Sequence, residues 1–306
     1  MVDLAAAYAS CARDARRHYE NFPVASWLLP RGMRPHVAAV YAFARAADDF
    51  ADEGVLPVDD RHRLLDAWRS RLRSAITGSP ATMPDAPRPG EPDNTQDIFL
   101  ALGATIRGCQ LPSGLFEDLL SAFRQDVTVT RYATWDHLFD YCRRSANPVG
   151  RIMLRIGGFS DRQFDEWSDA LCTALQLTNF WQDLESDFGR GRIYLPLEEM
   201  ARHGAEEQSL VEGRLTSGWE LALAAAAGRT RTLYDAGRPL CDHVRGRLRY
   251  ELRATWLGGT RILGRLESLR FGAIGQRPSL GAADVPWLIG AMTTWGIGAP
   301  GSRAEP

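Results

Sequence analysis

Two sets of polar residues recur at helical spacing. Tyr41, Arg45, Asp48 and Asp52 follow one another at steps of four, three and four, and Gln176, Asn179, Asp183 and Asp187 at steps of three, four and four. On a helix each set lines one face. Two carboxylates one turn apart repel by roughly a few tenths of a kcal/mol, so their alignment calls for a cation or for full solvation. The second set lies among Leu177, Phe180, Trp181 and Leu184, a mostly buried profile, and buried carboxylates must be paired or metal-bound. For either stripe alone the alternative is a solvated face on a surface helix. Facing one another, the two stripes gather Asp48, Asp52, Asp183 and Asp187, a charge that divalent cations must offset. All-oxygen ligation with few other donors suits Mg²⁺, with Mn²⁺ as the substitute, and Mg²⁺ completes its shell with waters and substrate phosphates. The implied partner is a diphosphate. Metal ions with arginine at the rim would neutralise it as a leaving group and let an allylic or cyclopropylcarbinyl carbon ionise. Such a pocket needs apolar and aromatic walls, for which Phe22, Phe43, Phe180, Trp181, Tyr194 and Trp256 are candidates.

The elements that must position these residues are helices. Alanine-, leucine- and arginine-rich stretches with apolar residues three and four apart dominate, and alternating β-branched runs are nearly absent, so the chain reads as all-α. The periodicity predicts helices near 3–19, 34–53, 59–76, 95–107, 112–126, 134–156, 160–187, 207–236, 239–264 and 284–293. The Pro- and Gly-rich stretch 77–94 reads as a surface loop rather than a domain boundary, because the two stripes lie on either side of it and need each other. Residues 1–306 are therefore expected to form one all-α domain.

Composition excludes several chemistries. All 36 cations are arginine, so a Schiff-base or P-loop lysine is ruled out, and any side-chain cation that clamps phosphate must be a guanidinium. Net charge is −2 with no basic block, which gives no footprint for nucleic acid. The five cysteines are scattered and form no CxxC or Cys/His cluster, the pattern of reduced core thiols in a cytoplasmic protein. No apolar run reaches the roughly 18 residues of a membrane span. The longest, from Val285 to Pro300, is expected to pack on the body or to touch a membrane surface peripherally.

Beyond these readings, the chain resembles the squalene and phytoene synthase family. The stretches that carry the resemblance are HYENFPVASWLLP at 18–30, RPHVAAVYAFARAADDFADE at 34–53, YCRRSANPVGR at 141–151 and LQLTNFWQDLESDFGRGRIYLP at 175–196. It implies an all-α isoprenoid (terpenoid) synthase fold, a hydrophobic tunnel, a prenyl diphosphate substrate, and Mg²⁺ on Asp48 and Asp52 and on Asp183 and Asp187. By position Arg45 matches a family diphosphate contact. Arg192, just past the second motif, is within reach of the same anion, with a surface role as its alternative. Tyr41, Gln176 and Asn179 complete the expected catalytic set.

Within the family, ENFPVAS, YCRRSANPVG and LTNFWQD are most similar to bacterial hydroxysqualene synthases of hopanoid and squalene pathways. These expel diphosphate from presqualene diphosphate and trap the rearranged cation with water. Condensing relatives usually carry arginine where this chain has Gln182, and small serines and a basic residue where it has Tyr19, Asn21 and Glu20. Each lost positive charge weakens binding of a second diphosphate, which only condensation needs. Arg143, Arg144 or Arg151 are the residues that would restore it. Water capture needs no NADPH, and none is expected. Asn21, Gln176, Asn179 and Gln182 are candidates to orient the water. The alternatives are a condensing prenyl synthase and a non-catalytic scaffold, and enzymes of the same pathway are the expected protein partners.

Overall fold

The computed structural model describes residues 3–17, 28–52, 56–78, 87–271 and 277–295, leaving aside the side chains of Arg17 and Asp52. Fifteen α-helices are present among them: α1 (Leu4–Arg17), α2 (Arg34–Asp52), α3 (Val58–Thr77), α4 (Thr95–Gly108), α5 (Ser113–Asp126), α6 (Trp135–Ser145), α7 (Asn147–Ile156), α8 (Arg162–Gln182), α9 (Leu184–Gly189), α10 (Leu197–His203), α11 (Glu207–Val211), α12 (Ser217–Gly237), α13 (Leu240–His243), α14 (Arg247–Ser268) and α15 (Val285–Thr293). Among the described residues the only β pairing is one isolated bridge, Arg131 to Ile193.

The two helices that carry the polar stripes are each the hub of one half of the chain. Around α2 pack α1, α3, α4, α5 and α7; around α8 pack α6, α7, α9, α12, α13 and α14. Helix α7 touches both hubs. The flank of α2 is built from alanine, with Ala39, Ala42 and Ala46 buried, and it meets the buried Ala7, Cys11 and Ala15 of α1. Alanine favours the helix and keeps that interface thin. On its other flank Phe43 is fully buried against Trp68, Phe99 and Phe116, and the Trp68 indole N–H donates to the Phe43 carbonyl at 3.2 Å. Phe43, a candidate pocket wall, is therefore core. In the other half Thr178 and Trp181 of α8 tie to α12 through hydroxyl contacts of 2.9 Å with Tyr234 and Thr230.

Several predicted helices break. Pro148 removes an N–H at the start of α7 and splits 134–156 at Ala146. Gly213 and Gly246, both at positive φ, split 207–236 and 239–264. Helix α10 has no counterpart in the sequence reading, although Pro196 precedes it and Gly204, at φ 68°, stops it. The cysteines are free, and burial pushes Cys11, Cys172 and Cys241 up to about 12. No helix among the described residues is long and apolar enough to cross a membrane.

Candidate functional site

Helix α2 places Tyr41, Arg45 and Asp48 at the mouth of an apolar cavity of about 230 Å³. Its walls come from α2, α5 and α7 and include Val40, Phe123, Ile152 and Met153. Arg45 lies along the stripe, donates to Asp48 at 3.3 Å and forms an ion pair with Asp49 at 2.5 Å, so its guanidinium bridges two carboxylates three and four residues on. Asp49, which lies beside the stripe rather than on it, is the nearer partner of Arg45. Tyr41 is half-buried, and burial raises its phenol, Arg45 working against that and Asp49 and Asp48 with it. The tyrosine stays protonated near neutral pH and can donate a hydrogen bond. On the opposite flank Arg45 and Asp49 line a second cleft, of about 190 Å³, with Asp14 and Asn94. Asp52 closes α2.

The second stripe is not one continuous helix. Gln176, half-buried, and Asn179, exposed, lie on α8, but α8 ends at Gln182 and the chain bends at Asp183 before α9. One-turn spacing survives the bend, because Asp183 N–H donates to the Asn179 carbonyl and Asp187 N–H to the Asp183 carbonyl, each at 2.8 Å. The Asp183 carboxylate takes the fork of Arg277, one arm at 2.9 Å, and the Gln182 amide donates to the Pro278 carbonyl. Gln182 is thus committed to the segment after α14 rather than held open for a water. Asp183, Gln182, Arg277 and Pro278 rim a further apolar cavity of about 230 Å³, walled by Trp181, Leu223 and Phe271 among others. Trp181, 3% exposed, lines this cavity rather than the one at Tyr41.

The GRGR turn is a helix stop. Gly191, at φ 80°, returns the chain so that Arg192 N–H donates to the Asp187 carbonyl at 2.8 Å, a Schellman-type closure. Arg192 then donates a guanidinium N–H to the Asp126 carbonyl at 3.0 Å. Beside it Phe180 stacks on Tyr194 at 3.7 Å, and Tyr141 donates to the Asp126 carboxylate at 2.9 Å. Burial, then the Asp126 charge, raises the phenols of Tyr132, Tyr141 and Tyr194. Sequence reasoning missed the Asp126 cluster, since its members are scattered through the chain and no periodicity joins them. Arg143 and Arg144 pair with Asp140, and Arg151 grips Asp169 in bidentate fashion, so these three are helix ties. Tyr19, Glu20, Asn21 and Phe22 lie outside the described residues.

The donor chemistry fits a sparsely ligated hard cation. The motif side chains offer carboxylate oxygen alone, and no three His, Cys, Asp or Glu groups among the described residues converge to hold a metal by themselves. Mg²⁺ takes one or two protein carboxylates and fills its shell from water and phosphate.

The squalene/phytoene synthase family profile matches residues 15–284, and the chain belongs to that family of prenyl-diphosphate-processing enzymes. Its all-helical architecture is that of the terpenoid synthases: the structure of squalene synthase HpnC from Alicyclobacillus acidocaldarius superimposes with a TM-score of 0.78 at 38% identity, over 89% of this chain and 97% of that one. Among curated relatives, the hydroxysqualene synthase of Rhodopseudomonas palustris is 37% identical over 78% of this chain and 76% of its own length. That of Sinorhizobium fredii is 35% identical over the same shares, 78% and 76%.

Proposed function

We propose that this chain is a Mg²⁺-dependent hydroxysqualene synthase. It ionises presqualene diphosphate, releases diphosphate, and captures the rearranged carbocation with water to give hydroxysqualene and a proton. The observation that carries this reading is the placement of Tyr41, Arg45 and Asp48 at the mouth of an apolar cavity, where a diphosphate head would meet charge and a hydrocarbon chain would meet Val40, Ile152 and Met153. The names of the relatives at 35–37% identity support the water-capturing outcome over condensation.

Asp48 and Asp52, and Asp183 and Asp187, are the residues that would hold Mg²⁺, which when bound neutralises charge on the departing diphosphate. The chain's own groups do the rest. Arg45, already oriented by Asp48 and Asp49, offers its fork to phosphate oxygens. Arg192, whose guanidinium donates to the Asp126 carbonyl, follows the second motif and would meet the same anion. Tyr41 donates its hydroxyl hydrogen to the head group or its bound water. The stacked rings of Phe180 and Tyr194 present π-faces to a cation. Gln176 and Asn179 orient the water, since an amide can hold it without being alkylated. The residual proton leaves with diphosphate or solvent.

The test is incubation of the purified protein with presqualene diphosphate or farnesyl diphosphate and Mg²⁺, with and without NADPH, followed by identification of the lipid. Hydroxysqualene formed from presqualene diphosphate without NADPH is the expected result. A thirty-carbon product from farnesyl diphosphate alone would establish a condensing synthase instead, and no diphosphate release from either substrate would establish a non-catalytic relative.

A further inference from the structure

Helix α15 is apolar on every face, VPWLIGAMT, yet none of its residues is buried. It leans on α14 and on the 3₁₀ turn Ala282–Asp284. Its outward residues Val285 and Ile289 are 50% and 54% exposed and stand one turn apart, so they form a ridge. A free helix of this composition would collapse onto the body. Charged groups tie it to the body at both ends.

At its N-terminal end Asp284 accepts from Arg261 at 2.6 Å, from Arg265 at 2.5 Å and from the Gly281 N–H at 2.8 Å. The Arg261 guanidinium then lies 4.2 Å from the Trp287 ring centre. At the other end Trp295 donates to Asp242 at 2.5 Å, with Arg238 and Arg253 over its ring at 5.1 and 5.0 Å. Between the helices Thr260, Arg261, Arg265, Ser268 and Trp287 line an open cleft of about 470 Å³, large enough for a phosphate head group. From Arg238 to Ser268 seven arginines stand against three acidic residues in a chain whose net charge is −2, and Arg238, Arg253 and Arg261 of this basic segment lie against the indoles of Trp295 and Trp287.

We propose that α15 and its arginine frame are a docking surface for an anionic phospholipid membrane, on which the protein rests without crossing it. The Val285 and Ile289 ridge enters the acyl boundary, the indoles of Trp287 and Trp295 lie at head-group depth, and the arginines meet phosphate. Charge selects this occupant over a second copy of the chain: a two-fold pairing through α15 would set the same arginines against each other. The proposal does not depend on the reaction assigned above.

The test is co-sedimentation of the full chain with vesicles of phosphatidylcholine alone and with vesicles of equal parts phosphatidylcholine and phosphatidylglycerol. The chain should pellet with the anionic vesicles only. Raising salt from about 0.1 M to about 1 M, which shortens the screening length from about 10 Å to about 3 Å, should release it. The double variant Val285→Asp/Ile289→Asp changes exposed positions and should keep its helical circular dichroism while losing roughly tenfold or more in partitioning. Failure of the full chain to pellet, or equal pelleting of the double variant, overturns the proposal. A dimer in light scattering that the double variant converts to monomer also overturns it, and assigns the ridge to self-association.

Discussion

Arg45 and Arg277 each bring a guanidinium to a motif carboxylate, so one carboxylate of each motif is already paired within the chain. An incoming cation or diphosphate therefore exchanges partners rather than meeting bare charge, which lowers the cost of holding acid there beforehand. Asp48→Asn and Asp183→Asn should each lower diphosphate release about a hundredfold or more, measured as phosphate after pyrophosphatase, with helical circular dichroism unchanged. Arg277→Gln frees Asp183 from its fork. If Arg277 also receives the diphosphate, KM should rise several-fold with kcat less affected; a fall in kcat alone would assign it to the chemical step. Arg45 was legible as a site residue because it shares a helix face with the carboxylates. Arg277 was not, because it lies 94 residues from Asp183 and reaches it only once α14 has folded back.

The elements that carry the motifs are held by contacts of two kinds, close backbone approach and buried charge. A methyl group at Gly237, the last residue of α12, would meet the Leu171 backbone nitrogen of α8 at 2.8 Å and its Cα at 2.9 Å. Gly237→Ala should push α12 off α8 and cost about 1–3 kcal/mol in urea denaturation. Arg71 of α3 and Glu91 ahead of α4 form an ion pair at 2.6 Å with side chains 1% and 0% exposed. Glu91→Leu leaves Arg71 buried without its carboxylate and should cost about 3–5 kcal/mol, whereas the double variant Arg71→Met/Glu91→Leu should recover most of it. The helix pattern was legible from alanine, leucine and arginine periodicity. The bend at Asp183 was not, since QDLES has no proline or glycine and continues a good helical pattern; the bend accompanies the docking of Arg277 and Pro278 at that point.

Across the whole molecule, carboxylates locked into hydrogen bonds set the acid limit of stability. Desolvation raises the buried Glu199 carboxyl, but the combined hydrogen bonds from Trp135, Arg202 and His203 outweigh it and hold the group below its ordinary 4.5. The Arg131 hydrogen bonds hold Glu207 below the same value. A carboxyl depressed in the folded state contributes its stability above the unfolded pKa and loses it as pH falls through the folded value. Tm should therefore hold between about pH 7 and about pH 5 and drop progressively below about pH 4.5, as followed by circular dichroism. The aromatic side chains add a separate consequence at this scale. Trp68, Trp135, Trp181 and Trp219 are at most 5% exposed, whereas Trp287 on α15 is 40% exposed. Indole emission from the native protein thus includes a shielded contribution from these four and an accessible one from Trp287. Brominated acyl chains or acrylamide address Trp287 before those four, and the difference from a Trp287→Phe variant makes that indole an optical gauge of the α15 face.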